Sequence, residues 1–477
     1  MTRNGTGQVL AVDLDGTLLR TDMLAESFWA ATAADSRTPL RALAALRRGR
    51  AALKRMLAER VVVDPAVLPY DADVVAFVRD WRARGGRTVL VTASDTAIAR
   101  SIAAHLELFD EVHGSDGAEN LKGARKAAFL VARFGTGGFV YAGDSRADLP
   151  VWQAAAAAVT VNASPRLRHA VDALGLPVEH LRTLPPSAAP WIRAMRPHQW
   201  LKNLLVFLPM LAAHRFDGAT GLASLLAFAA FSVIASGVYL LNDLLDLAAD
   251  RAHPRKRFRP LAAGALPIFR GSGLMAGLMA LGAVLSLLAG PPFAAVMLAY
   301  LLLTTAYSLV LKRRRVIDIA VLAGLYTLRI VAGGAATGIP LSMWLLAFSI
   351  FFFFSLAAVK RQAELVDSAA RGRLGAGGRG YVVEDLPVIS MMAVASGYVS
   401  VLVMALYVTS PAVLELYARP AALGGICCVL LYWISRIVLL THRGEMLDDP
   451  VVFALRDPVS RACLGLILLF ALAGTLP

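Results

Sequence analysis

From about residue 197 onward this sequence is a series of nine apolar stretches, near 200–213, 219–241, 271–289, 292–311, 316–337, 341–359, 387–409, 421–440 and 459–476. Runs of roughly twenty apolar residues match the hydrocarbon core of a bilayer. Lipid offers a backbone no hydrogen bonds, so such runs fold as helices that pair their own N–H and C=O groups. The gaps between the runs alternate in charge. Those from Arg193 to Lys202, Arg251 to Arg270, Lys312 to Arg315, Lys360 to Arg379 and Arg443 to Arg461 hold about twenty basic residues, whereas the alternate gaps hold Arg215 and Arg419. The basic gaps are therefore expected on the cytoplasmic face.

The 57% hydrophobic share conceals a second, unlike part. Residues before about 190 mix polar and apolar positions as a soluble domain does, and 477 residues exceed the usual single domain. Pro185, Pro186 and Pro190 read as a linker. The expected division is a soluble domain over 1–184, a linker over 185–196 and a membrane domain over 197–477. Met1 to Gln8 is polar and Val9 to Val12 is too short for a signal-peptide core, so the soluble domain is expected in the cytosol. The net charge of +14 would suit nucleic acid, but its basic residues lie between the apolar runs, so no nucleic-acid partner is expected. Cys427, Cys428 and Cys463 sit in apolar runs without metal or disulfide spacing and read as packing.

The second run closes on Asn242-Asp243-Leu244-Leu245-Asp246-Leu247-Ala248-Ala249-Asp250, followed by His253-Pro254-Arg255-Lys256-Arg257-Phe258-Arg259-Pro260. On one continuous helix Asp243, Asp246 and Asp250 fall within about 60° of one another, with Asn242 beside them. Three carboxylates on one stripe repel unless a cation joins them, and hard oxygen donors in that number suit Mg2+ shared with substrate phosphates. Further polar residues line the same face of the membrane part. Lys202 and Asn203 open the first run, Tyr307 and Lys312 close the fourth, Asp318 and Arg329 lie in the fifth, and Lys360 and Glu364 close the sixth. Asp318 and Arg329 are about three helical turns apart, so each needs another partner or a polar cavity. A solute carrier would share such intramembrane charges, but no internal repeat is evident.

In the soluble part three short apolar runs end in acidic or hydroxyl residues. Val9 to Val12 leads into Asp13-Leu14-Asp15-Gly16-Thr17, Thr88 to Val91 into Thr92-Ala93-Ser94-Asp95, and Phe139 to Ala142 into Gly143-Asp144-Ser145-Arg146-Ala147-Asp148. Buried parallel strands place such residues at the carboxyl edge of an α/β sheet, where ligands bind. With Lys122 and Lys126 between the second and third, the set resembles the haloacid dehalogenase superfamily, all four of whose motifs occur in order. The resemblance implies a Rossmannoid domain with a small helical cap at about 23–75. It further implies Asp13 as nucleophile, Asp15 as general acid/base, Thr92 on a phosphate oxygen and Lys122 neutralising charge, with Lys126 as the alternative. Asp13, Asp15, Asp144 and Asp148 would hold and support Mg2+. Cap residues Arg47, Arg48, Arg50 and Lys54 read as a solvated face, or as a contact for a phosphorylated substrate or an anionic membrane.

The membrane part, through RPHQWLKN at Arg196 to Asn203, YLLNDLLDLAADRAHPRKRFRP at Tyr239 to Pro260 and KRQAEL at Lys360 to Leu365, resembles the UbiA superfamily of intramembrane prenyltransferases. Its pattern is nearest to the decaprenyl-phosphate phosphoribosyltransferase branch. That resemblance implies an all-α domain of about nine transmembrane helices in a bacterial plasma membrane. It also implies a polyprenyl phosphate acceptor, a phosphoribosyl pyrophosphate donor and Mg2+ on Asn242, Asp243, Asp246 and Asp250. Lys202, Arg257, Arg259 and Lys312 would contact phosphates, and Lys360 and Glu364 would form a facing wall. The second acidic motif of many relatives is missing; Glu364, Asp367, Glu384 and Asp385 are the nearest acids, around a basic, glycine-rich loop at Arg371 to Gly380. The expected chain is thus bifunctional, a transferase whose lipid product could lose its 5-phosphate at the soluble domain. The alternative is a polyprenyl diphosphate donor with an aromatic acceptor.

Overall fold

In the computed structural model the described residues are 8–60, 63–115, 120–184, 187–372, 375, 379–446 and 449–475. Pro185, Pro186, the Arg50 side chain and half of the loop from Arg371 to Gly380 lie outside them. The chain divides into two compact units that do not follow chain order: Met1–Arg196 with Tyr239–Gly277, and Pro197–Val238 with Leu278–Pro477.

The first unit is built on six strands, β1 (Val9–Val12), β2 (Arg87–Asp95), β3 (Glu111–Ser115), β4 (Phe139–Gly143), β5 (Ala157–Val161) and β6 (Val178–Leu181). They lie in the order β3-β2-β1-β4-β5-β6, every neighbouring pair parallel. β1, β4 and β5 are buried along their whole length, which suits an apolar sheet covered on both faces. Strand order reverses between β1 and β4, and a doubly wound sheet opens a crevice at the carboxyl ends of such a pair. Asp13 leaves β1 there and Asp144 leaves β4. The expected cap contains helices Met23–Ala34, Thr38–Leu46 and Arg50–Ala58. The first is capped by Asp22, whose carboxylate accepts the Ala25 N–H at 3.0 Å.

Eight helices among the described residues are long and apolar enough to cross a membrane, and their limits fall within a few residues of the runs expected from 219 onward, except that Met343–Ala370 continues well past 359. The first run differs. Pro197–Phe207 forms a 3-10 helix and Leu208–Ala212 a short α-helix with Pro209 in its first turn, so no single long α-helix covers 200–213. Trp200 and Asn203 spend their polar atoms on Ser236 Oγ (2.9 Å) and Ser232 Oγ (3.0 Å). The second unit's core packs Phe353, Leu356, Ile389, Ile434 and Ile437 around Ile319 and Ile330.

Candidate active sites

At the sheet crevice one oxygen each from Asp13, Asp144 and Asp148 comes together within 4.8 Å. That spacing and an all-oxygen donor set fit one small divalent cation, whose bonds to oxygen are roughly 2.0–2.1 Å for Mg2+. Lys126, 2% exposed, places Nζ 2.9 Å from Asp13 and 3.8 Å from Asp148, and donates to the Tyr141 hydroxyl at 2.9 Å. Tyr141 in turn donates to Asp148 at 2.9 Å. Burial pushes the Asp13 carboxyl up and Lys126 opposes it, while burial together with Asp13 and Asp148 drives Asp144 up to about 8.

Asp15 stands outside that trio. It accepts the Met23 N–H at 2.7 Å, Ser94 Oγ at 2.6 Å and Thr92 Oγ1 at 3.4 Å. Burial, with Asp22 adding to it, raises Asp15 to about 7, a poise suited to moving protons near neutrality. Gly16, at φ +76°, lets the loop turn between the two acids, and a Cβ there would run into the Asp144 carboxylate. Thr92 is buried and faces Asp15. Lys122 is exposed, and the cation paired with Asp13 is Lys126, because the Ala124–Phe134 helix turns residues 126, 127 and 130 inward together.

The acidic segment corrects the continuous-helix expectation. The long helix Gly218–Leu245 ends before Asp246, whose φ and ψ of −100° and 14° mark a junction, and a short helix Leu247–Ala252 follows. Asp246 still receives and passes on the helical bonds, its N–H donating to Asn242 O at 2.9 Å and its own carbonyl accepting from Asp250 at 2.8 Å. Arginines thread the carboxylates. Asp243 accepts from Arg196 at 2.5 Å and Arg259 at 3.1 Å, and the same Arg259 nitrogen reaches Asp250 at 2.6 Å. Asp243 and Asp250 are buried, Asn242 and Asp246 partly so, and burial raises the Asp250 carboxyl. No three carboxylates assemble within metal-bridging distance here among the described residues. The donor set nonetheless fits Mg2+, which needs only one or two carboxylates when substrate phosphates complete its shell. Arg257 is exposed against the Phe258 ring, 4.9 Å away.

In the second unit Lys202 and Lys360 converge on one carboxylate that sequence reasoning missed. Asp449 Oδ2 lies 2.7 Å from Lys202 and 3.2 Å from Lys360, which holds its carboxyl far below the usual range despite burial. Asp318 and Arg329 are spent within the helix bundle. Asp318, fully buried, meets Arg361 at 3.0 Å, Tyr381 OH at 2.5 Å and Arg379 at 3.6 Å. Arg329 donates to Asn203 at 3.0 Å and faces the rings of Phe231, Tyr300 and Tyr326. Tyr307 accepts from Arg379 at 3.1 Å, and Glu364 pairs with Arg361 and with Arg379. Lys312 is half-buried in a 3-10 turn. Apart from the Arg361–Glu364 pair, three residues apart on the helix Met343–Ala370, these partners come from other helices or loops, so no local spacing could have announced them.

A model of the UbiA prenyltransferase family matches residues 204–453, and a model of haloacid dehalogenase-like hydrolases matches residues 10–153. An uncharacterised protein of Sinorhizobium fredii, y4nM, is 40% identical over 457 residues, 94% of this chain and 88% of that one. The nodulation protein NoeC of Azorhizobium caulinodans is 39% identical over 279 residues, 58% of this chain and 91% of its own. Decaprenyl-phosphate phosphoribosyltransferase of Mycobacterium tuberculosis is 41% identical over 194 residues, 39% of this chain, and the match spans 64% of that relative's length.

Proposed function

Since the chain belongs to the UbiA prenyltransferase family and carries a haloacid dehalogenase-like hydrolase domain, we propose that this integral membrane enzyme moves 5-phosphoribose from phosphoribosyl pyrophosphate to a polyprenyl phosphate and then removes the 5-phosphate. The observation that carries the first step is the ladder Arg196–Asp243–Arg259–Asp250, an alternation of cations and carboxylates suited to a diphosphate with its metal. The 41% identity to a phosphoribosyltransferase supports that donor. Mg2+ on Asp243 and Asp250, with Asn242 and Asp246, would supply charge neutralisation for the leaving pyrophosphate. Arg196, Arg257 and Arg259 hold its oxygens as the ribosyl carbon gains positive character. Lys202 and Lys360 offer paired ammonium groups to a phosphate. A polyprenyl tail stays in hydrocarbon while its phosphate reaches polar side chains, which accounts for a catalyst in the bilayer.

The lipid so formed is a phosphate monoester at its 5-position, the substrate class that Asp13 suits. The Asp13 carboxylate attacks phosphorus, the ester oxygen leaves with a proton from Asp15, and water assisted by Asp15 then hydrolyses the aspartyl-phosphate. Lys126 offsets the charge of nucleophile and phosphoryl group, and Mg2+ held by Asp13, Asp144 and Asp148 would supply the rest. The proposed product is polyprenyl-phosphoryl ribose, an activated sugar for envelope glycans, made at the cytoplasmic face of a bacterial plasma membrane.

The deciding experiment supplies membranes bearing the full chain with radiolabelled phosphoribosyl pyrophosphate, polyprenyl phosphate and Mg2+. Label should enter lipid with the parent and with Asp13→Asn but not with Asp243→Asn, and Asp13→Asn should accumulate the lipid that keeps its 5-phosphate. No lipid label with any of them would overturn the transferase assignment in favour of a polyprenyl diphosphate donor.

A further inference from the structure

Within the first unit, the cap helix Met23–Ala34 is tied to the segment that carries the acidic motif. Arg251, next to Asp250 in the sequence, donates from Nη2 and Nη1 to both carboxylate oxygens of Glu26, at 2.5 and 3.1 Å, and from Nε to the Ala262 carbonyl at 3.1 Å. The two side chains are 6% and 5% exposed. Trp29, one turn beyond Glu26, donates from its indole nitrogen to Ser272 Oγ at 2.9 Å. Gly264, at φ +67°, lies so close to Arg20 that a Cβ would sit 2.9 Å from the Arg20 carbonyl. These contacts close over residues 251–272 from the side of the phosphatase loop.

An arginine cannot shed its proton inside a protein, so a buried guanidinium forked by one carboxylate is fixed in place by that carboxylate. We propose that Glu26 is a positioning residue for transfer: through Arg251 it holds the Leu247–Ala252 helix, and with it Asp250, in the setting where Arg259 bridges Asp250 to Asp243. Glu26 touches no substrate and acts only through Arg251. The cap helix therefore serves the transferase, in addition to whatever it excludes from the phosphatase crevice. The kinetic half of this inference rests on the phosphoribosyl transfer proposed above; the structural half does not.

The test uses the full chain in lipid nanodiscs, as parent, Glu26→Gln, Glu26→Asp, Trp29→Phe and the exchange of Glu26→Arg with Arg251→Glu. Amide hydrogen exchange is followed over residues 247–262, transfer is assayed against donor concentration, and p-nitrophenyl phosphate hydrolysis reports the integrity of the soluble domain. Glu26→Gln should speed exchange over 247–262 at least tenfold and cut transfer at least tenfold, while hydrolysis stays within twofold. Glu26→Asp and the charge exchange should each recover part of both, and Trp29→Phe should give a smaller loss of the same kind. Unchanged exchange and transfer in Glu26→Gln with hydrolysis intact overturns the inference. If Glu26→Gln loses hydrolysis as well, the decision passes to Trp29→Phe and the charge exchange, and no effect in either overturns it. A parent that transfers no phosphoribose but shows the exchange difference would sink the transferase reading and leave the positioning intact.

Discussion

Asp13 sits among one cation and two further carboxylates, so its chemistry depends on which charge is removed. Replacing Lys126 with Met would leave buried carboxylates facing each other without a counter-ion, and p-nitrophenyl phosphate hydrolysis should fall at least about a hundredfold. Lys122→Met, at an exposed site, should stay within about threefold. The reverse order in measured kcat would return the role to Lys122. Sequence reasoning reached both lysines but put Lys122 first and Lys126 as the alternative; the inward grouping of 126, 127 and 130 is the signal that separates them. The crevice also predicts a pH dependence. Burial holds Asp144 at about 8 and Asp15 at about 7, well above ordinary carboxyls, so the metal-free fold binds more protons than the unfolded chain from about pH 4 upward. Stability from these groups is then complete below about pH 4 and is lost as pH rises through 7 and 8. Differential scanning calorimetry of the metal-free chain should show the soluble domain melting at a lower temperature at pH 8 than at pH 5.5. Mg2+ should reverse the difference at pH 8, where it replaces the protons. A melting temperature that rises from pH 5.5 to 8 without metal would refute the burial argument.

At the scale of elements, the helix Pro450–Arg456 begins on Asp449, whose Oδ1 accepts the Val451 N–H at 3.1 Å while Oδ2 gathers Lys202 and Lys360. Asn caps a helix about as well as Asp, so Asp449→Asn spares the helix start and frees the two lysines from their common charge. Transfer should drop about tenfold, mainly as a higher KM for the polyprenyl phosphate, because the two ammonium groups lose the carboxylate that holds them side by side, and hydrogen bonds to charged groups are typically worth about 1.5–3 kcal/mol. Unaltered KM and kcat would mean the lysines do not serve a substrate phosphate. The long helices were legible because lipid leaves a chain few choices, and Gly218–Leu245 or Ile317–Thr337 depart by only a few residues from the apolar runs. Asp246 was not legible as a junction, because its neighbours carry the same apolar and acidic pattern on either side of the break. The partners of Asp318 were hidden for another reason. Arg361, Arg379 and Tyr381 belong to a different helix and the loop after it, and pairing across helices is set by packing rather than by spacing.

At the scale of the whole molecule, the pairing of residues 1–196 with 239–277 was invisible to the sequence, since Glu26 and Arg251 are 225 positions apart. That pairing bears on topology. Arg196, just ahead of the first apolar run, bonds Asp243 near the end of the second helix at 2.5 Å. The chain therefore leaves one membrane face after Arg196 and is back on it by Asp243, which requires two crossings. Gly218–Leu245, a candidate span, accounts for one, and the expected outcome is that Pro197–Ala212 supplies the other although it is no long α-helix. Its reach suffices. A 3-10 helix rises about 2.0 Å per residue against 1.5 Å for an α-helix, so this stretch extends roughly 30 Å, the thickness of the hydrocarbon core. The prediction is read with single cysteines in a chain whose Cys427, Cys428 and Cys463 are replaced by Ser. A membrane-impermeant maleimide should label Arg215→Cys and Arg419→Cys on intact cells, and Arg193→Cys and Arg314→Cys only after permeabilisation. Labelling of 193 and 215 from the same side would mean that the first run does not cross. The Arg196–Asp243 bond could not then form in a membrane, and a transfer site that draws its phosphoribosyl donor from the cytosol would have no face on which to assemble.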